Sequence, residues 1–269
     1  MQTYICTTCG IQYADSVEPP PNCPICEDER QFVNLDGQSW TTLQELKLTH
    51  RNVLNPLELG LTEIVTEPKF ALGQRALLVQ SPEGNVLWDC VSLVDDATIT
   101  AVKALGGISS LSMSHPHMYG SMVEWSHAFG NAPIRLHAAQ ERWVTRPDPV
   151  IAFWDEDVHP LNHQITLYRC GGHFTGSTLL HWSEGAGGFG ALFSSDTMYV
   201  AWDRRHVSFM YSYINFIPLA ASVVDHIMET VAPLKYDRIY GHFSGLVIST
   251  DAKTAVQRSA ERYKKAISA

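Results

Sequence analysis

The sequence has no apolar run near the ~20 residues that a helix needs to cross a bilayer, so no membrane span is expected. It has no basic stretch followed by an apolar one at its start, since Met1-Gln2-Thr3 leads almost directly to Cys6; a secretory leader is not expected and the cytoplasm is the expected compartment. No repeat and no low-complexity tract interrupts it. Positive charge is also scarce: 19 Lys and Arg stand against 28 Asp and Glu, a formal net charge of −9. Affinity for polyanions comes largely from Lys and Arg displacing counterions, so a nucleic-acid partner is not expected and a small-molecule substrate is. The oligomeric state is not legible.

What remains is ordinary globular material, 45% hydrophobic and 17% charged over 269 residues. The first ~35 residues differ from the rest. They contain four cysteines and the run Glu18-Pro19-Pro20-Pro21, with few aliphatic side chains. Such a segment cannot build a sufficient core alone and needs a metal to fold. This divides the chain into a cysteine knuckle over residues 1–36 and a catalytic-sized domain over 37–269.

Within the larger part, Ala76–Ser81 and Val86–Cys90 read as two strands around the turn Pro82-Glu83-Gly84-Asn85. Asp96–Leu105 reads as a helix stopped by Gly106-Gly107, and Ile108–Met113 as a strand. Ser121–Phe129 reads as a helix, with Ser121 and Glu124 as its capping box. Strands are expected at Ile165–Tyr168, Thr178–Trp182, Ala191–Ser194 and Arg238–Gly241, and helices at Pro218–Val231 and Thr250–Ile267. Cys90 and Cys170 sit among apolar residues and read as core.

Cys6-x2-Cys9 and Cys23-Pro24-Ile25-Cys26 are two tight thiolate pairs. Each turn can deliver two sulfurs to one tetrahedral ion. The segment Tyr4-Ile-Cys6-Thr-Thr-Cys9-Gly10 with Cys23-Pro24-Ile-Cys26 resembles zinc ribbons and rubredoxin-like modules. Glu27 stands where rubredoxins usually have glycine, which favours zinc; the same ligands also suit iron.

Five further residues follow strand-like runs in glycine- or serine-rich contexts: His115, His117, His173, Asp196 and His242. His115 and His117, two apart, would share one side of an extended segment. Imidazoles with a carboxylate suit zinc or iron. The segments Ser114-His115-Pro116-His117, Gly172-His173-Phe-Thr-Gly176-Ser177-Thr178, Phe193-Ser-Ser-Asp196-Thr197 and Gly241-His242-Phe-Ser-Gly245 resemble, in order and spacing, the motifs of the metallo-β-lactamase superfamily. The resemblance covers residues 60 to 269. It implies an α/β fold of the αββα sandwich type, with His115, His117 and His173 on a first metal, Asp196 between two metals and His242 on the second. It also makes Asp89 a structural support for the ligand loops.

The family pattern H-x-H-x-D-H reads here as His-x-His-x-Tyr119-Gly120. Glycine has no side-chain donor, and a phenol with an ordinary pKa near 10 is a poor stand-in for a carboxylate. A single ion, zinc or iron, is therefore expected in this site. The expected activity is hydrolysis by a metal-activated water, with Asp196 orienting the water and Tyr119 donating to a developing oxyanion. The alternatives are a mononuclear iron oxidoreductase of the persulfide-dioxygenase type, using His115, His173 and Asp196, and an inactive scaffold. Arg204 and Arg205 read as surface charges. Trp154, Tyr199, Trp202 and Phe209 read as either cleft lining or core, and His137 as a histidine to watch.

Overall fold

A computed structural model describes residues 1–268. The chain divides into two compact units, Met1–Leu136 with Glu141–Phe153, and His137–Gln140 with the residues from Trp154 onward.

The first unit begins with the cysteine segment. Strand Tyr4–Cys6 pairs antiparallel with Trp40–Thr42, and the single helical turn Pro24–Glu27 presents Cys26. Helix Leu43–Thr49 follows, opened by a capping box in which Thr42 accepts from the Glu45 N–H and the Glu45 carboxylate accepts from the Thr42 N–H. A seven-stranded sheet carries the rest: Arg51–Glu58, Leu61–Glu67, Ala76–Val79, Val86–Trp88, Ser110–Ser112, Ile134–His137 and Ile151–Trp154, side by side in chain order. The expected hairpin is present, with Leu77 opposite Trp88 and Val79 opposite Val86. From Val86–Trp88 to Ser110–Ser112 and on to Ile134–His137 the pairing is parallel. Such pairing requires crossovers. Helix Asp96–Ala104 makes the first, capped by Asp95 accepting from the Thr98 N–H, and helix Met122–Ala128 makes the second.

One apolar core serves the whole unit. Cys6, Cys9, Cys23, Cys26, Ile11 and Ile25 pack in the same cluster as Leu78, Leu87, Leu111, Ile134 and the helix residues Met122 and Trp125. The segment that looked too poor in apolar residues to fold alone thus shares the core of the sheet.

The second unit holds a six-stranded sheet in the order Val158–Pro160, Ile165–Arg169, Thr178–Trp182, Ala191–Phe193, Arg238–Tyr240, Val247–Ile248. Its one parallel pair is Ala191–Phe193 with Arg238–Tyr240. Helices Ala221–Val231 and Ala252–Ile267 bury Val224, Ile227, Val231, Val256 and Ala260 against Leu192 and Ile239. Both start later than the sequence suggests. Ile217–Pro218 is consumed in a short antiparallel pairing with Met210–Ser212, and Asp251 takes a left-handed turn before its helix.

The capping box expected at Ser121 and Glu124 is absent. Ser121 has φ −104° and ψ 48° with no side-chain cap, and Glu124 instead pairs with Arg146 at 2.7 Å. Long-range charge pairing won over the local motif.

Candidate metal centre

The four cysteine sulfurs lie within 4.8 Å of one another, all buried. The Cys6–Cys26 separation is 3.6 Å and the Cys9–Cys23 separation 3.7 Å. Four thiolates around an ion at a metal–sulfur distance of about 2.3 Å would stand about 3.8 Å apart, so the donors fit a tetrahedral ion. Two donors lie outside the sulfurs: the Tyr13 hydroxyl donates to the Cys23 Sγ at 2.9 Å and the Gln38 amide to the Cys6 Sγ at 3.1 Å. Hydrogen bonds from the other cysteines, Cys23 foremost, hold the Cys6 thiol well below its ordinary range, while burial pushes Cys9 up. Hydrogen bonds to a sulfur favour its thiolate, the form a metal takes.

The second set of residues is built in two parts. In the first unit, strand Ser110–Ser112 runs into His115, which is extended (φ −165°), and Pro116 then starts a 3₁₀ turn over Pro116–Met118. The two histidines therefore do not share an extended segment; the turn, begun by a proline suited to a first helical position, brings their rings to 5.0 Å, edge to face. The Ser114 hydroxyl lies 3.0 Å from His115 Nδ1. Asp89, at φ 59°, braces the loop: its N–H donates to the Ser112 carbonyl at 2.9 Å and its carboxylate accepts from the Ser114 N–H at 2.7 Å. The Cys90 N–H donates to the Met118 carbonyl at 3.0 Å. Asp89 thus holds the chain before His115, and its neighbour Cys90 the chain after it.

Tyr119 and Gly120 follow. Tyr119 is 1% exposed within the apolar core, and burial pushes its phenol well up. Gly120 has φ 48°, and a Cβ there would sit 2.9 Å from the carbonyl oxygens of Cys90 and Val91. That close approach requires glycine; the histidine of the family pattern could not take this backbone position. The Gly120 carbonyl accepts from the Gln12 N–H at 3.0 Å. Gln12 also contacts Arg146, and its own carbonyl accepts from Thr145 at 2.8 Å. A small cavity between Gln12, Tyr119, Gly120, Val123 and Arg146 marks this junction.

In the second unit, Gly171 and Gly172 (φ 66° and 87°) turn the chain so that His173 follows directly on the strand. Ser177 closes the loop, its hydroxyl accepting from the Phe174 N–H at 2.9 Å. Asp196 lies on the turn after strand Ala191–Phe193. Its Oδ2 is 3.6 Å from His173 Nε2 and its Oδ1 is 3.3 Å from His242 Nδ1. Two ligands on one tetrahedral zinc at about 2.05 Å stand about 3.3 Å apart, so both the His173–Asp196 and the Asp196–His242 separations suit ligands of a shared ion. Tyr199 packs its ring 5.2 Å from His242 and 4.8 Å from Tyr213, whose ring is 5.8 Å from His173. Burial, reinforced by the Asp196 charge, raises the Tyr199 phenol.

Other expectations resolve simply. Arg204 and Arg205 are exposed, as expected of surface charges. Trp154 and Phe209 are core, Tyr199 is half-buried and Trp202 is 80% exposed. His137 packs edge-on to Trp154 and its Nδ1 accepts from the Ala139 N–H. Burial pushes Cys170 up to about 12 and Cys90 well up, consistent with core thiols. No described helix is long and apolar enough to cross a membrane. Sequence reasoning missed Tyr13, Gln38, Gln12 and Tyr213, none of which stands in a metal-ligand motif.

No family model matches the sequence. Several solved structures share the fold. VMB-1 superposes over 81% of this chain and 99% of its own at a TM-score of 0.62 and 12% identity. The DIM-1 metallo-β-lactamase matches over 79% and 97% at 0.57 and 9%. The FIM-1 metallo-β-lactamase from Pseudomonas aeruginosa, in its mono-zinc form, matches over 80% and 93% at 0.56 and 14%. In sequence, the protein YmaE of Bacillus subtilis (strain 168), described as uncharacterized, is 49% identical over 269 residues, covering 99% of this chain and 97% of its own. The chain has the metallo-β-lactamase fold and belongs to the same family as YmaE.

Proposed function

We propose that His115, His117, His173 and Asp196 hold one metal ion and that the protein is a metal-dependent hydrolase of a small molecule. The observation that carries this reading is the donor set: one atom from each of the four residues falls within 4.8 Å of the others, and all four are buried. Three imidazoles and a carboxylate suit zinc. His242 stands outside this group of four and reaches Asp196 through the carboxylate's other oxygen. A second ion would find Asp196 and His242 but neither of the motif's last two donors, because Tyr119 is buried in the core and Gly120 has no side chain. The mono-zinc form of FIM-1 supports one ion on this fold in that enzyme.

Zinc in such a site lowers the pKa of a water toward ~7 and polarises a carbonyl or phosphoryl oxygen. The chain's own residues supply the rest. Asp196, between His173 and His242, is the carboxylate placed to orient water and to pass a proton towards His242. Tyr119 stays protonated because of its burial, so a hydrogen bond is the only help it can give. Tyr199 walls the His242 side with an aromatic face.

Metal analysis of the protein purified without added metal tests the reading. The expected content is one zinc in addition to the knuckle's ion. Two tightly held ions beyond the knuckle would overturn the single-ion site; iron there would favour an oxidoreductase, and no metal would favour a scaffold.

A further inference from the structure

Asp196 is carried by a turn rather than by a regular element. The preceding Ser195 has φ 43°, in the left-handed region that an L side chain adopts at a cost. Around it, the Ser194 hydroxyl donates to the Met198 carbonyl at 2.7 Å and the Thr197 N–H to the Ser194 carbonyl at 3.1 Å. These bonds fold the turn on itself. The Ser194 N–H ties the start of the turn to strand Arg238–Tyr240 through the Tyr240 carbonyl at 3.0 Å; the Asp196 carbonyl needs a separate tie.

Tyr213 supplies that tie. Its hydroxyl lies 3.1 Å from the Asp196 carbonyl and 3.0 Å from the Ser208 carbonyl, both within reach of its proton. One phenol thus meets the backbone of the Asp196 turn and of strand Val207–Ser208. Its ring faces His173 and stacks at a tilt on Tyr199, which in turn touches His242. The next residue, Ile214, is 43% exposed and Phe216 is 83% exposed. Between the buried Ser212 and these exposed neighbours, Tyr213 carries its polar tip to the backbone of Asp196.

We infer that Tyr213 is the positioning residue of this half of the centre: its hydroxyl fixes the turn that aims Asp196, and its ring sets the orientation of His173. It is not a catalytic residue, since backbone carbonyls engage its proton. The inference rests on Asp196 and His173 being metal ligands, as proposed above. Groups that orient metal ligands are worth on the order of 10- to 100-fold in metal affinity.

Competitive zinc titration of the full-length protein against a chromophoric chelator tests this, with Tyr213→Phe, Asp196→Ala and Tyr263→Phe compared with the parent. Tyr263 is the matched control: its hydroxyl also donates to a backbone carbonyl, that of Leu219, at 3.1 Å, and its ring packs on Phe209. Tyr213→Phe is expected to weaken the histidine-site zinc by on the order of 10- to 100-fold and to leave the knuckle's ion unchanged. Tyr263→Phe should change zinc affinity by less than about twofold, even where its melting temperature falls as far; a merely structural phenol does no more. Parent-like zinc affinity in Tyr213→Phe, or equal weakening in both tyrosine variants, overturns the inference while Asp196→Ala still loses its zinc. Parent-like affinity in Asp196→Ala overturns the ligand assignment and the inference with it. If Tyr213→Phe melts too low to titrate, Tyr213→Trp, which keeps an aromatic face towards His173, is expected to show the same loss.

Discussion

The two parts of the candidate centre are braced by different means. In the first unit the histidine loop is held by backbone and by one carboxylate: Asp89 grips Ser112 and Ser114, Cys90 grips Met118, and Gly120 is wedged against the carbonyls of Cys90 and Val91. In the second unit side-chain hydroxyls add to the backbone: the Ser194 N–H donates to the Tyr240 carbonyl, while the Ser194 and Tyr213 hydroxyls donate to the Met198 and Asp196 carbonyls. Backbone bracing admits few residues at each position. Side-chain bracing lets the surrounding sequence vary while a single phenol holds the geometry. The first unit also contains the knuckle, so its rigidity draws on a second metal.

Removing the knuckle's ion should have the largest effect. Structural zinc supplies folding energy directly, about 10–16 kcal/mol in isolated finger peptides. Here the four cysteines share the sheet's core, so the cost should appear throughout the first unit. Hydrogen exchange after chelation is expected to show lost protection at Leu78, Leu87 and Leu111 and little change at Leu192 and Ile239. Equal loss in both units would erase the distinction drawn above.

Gly120→His, which puts a histidine where the metallo-β-lactamase motif has one, comes next. A Cβ 2.9 Å from two carbonyls at a positive φ should cost about 3 kcal/mol in urea denaturation. It should add no second ion. A stable variant with doubled metal content would mean that the loop is more pliable than its packing implies.

Asp89→Ala leaves the buried Ser114 N–H without its acceptor, at a cost of about 1–3 kcal/mol. Asp89→Asn keeps an acceptor oxygen and should recover much of it, measured by the same denaturation. Arg146→Ala should have the smallest effect, about 0.5–1 kcal/mol, because its pairing with Glu124 is only partly shielded from water.

The residues that fold into the two donor clusters were legible because their motifs are local. Two Cys-x2-Cys turns need only a few residues each, and His173, Asp196 and His242 each follow a strand with its own glycine or serine signal. The elements between them were legible from apolar periodicity. The errors came where a distant partner decided the outcome. Ser121 with Glu124 looks like a cap, yet Arg146, 22 residues further on, takes the carboxylate. His115 and His117 looked like one extended face, and Pro116 curled it. Tyr213 stands in no metal-ligand motif, since its carbonyl partners, Asp196 and Ser208, lie 17 and 5 residues away and meet it only by folding.

The seam between Gln12 and the histidine loop bears on how the chain is made. Gln12 is 133 residues ahead of Thr145, whose hydroxyl donates to its carbonyl. At roughly 5–20 residues per second, synthesis of that interval takes on the order of ten seconds. For that time a metal-loaded knuckle has Trp40 to set against Tyr13 but, at first, lacks Met122, Val123 and Trp125, which share its core in the folded unit. The knuckle's apolar side is therefore completed only as the later half of the first unit is made.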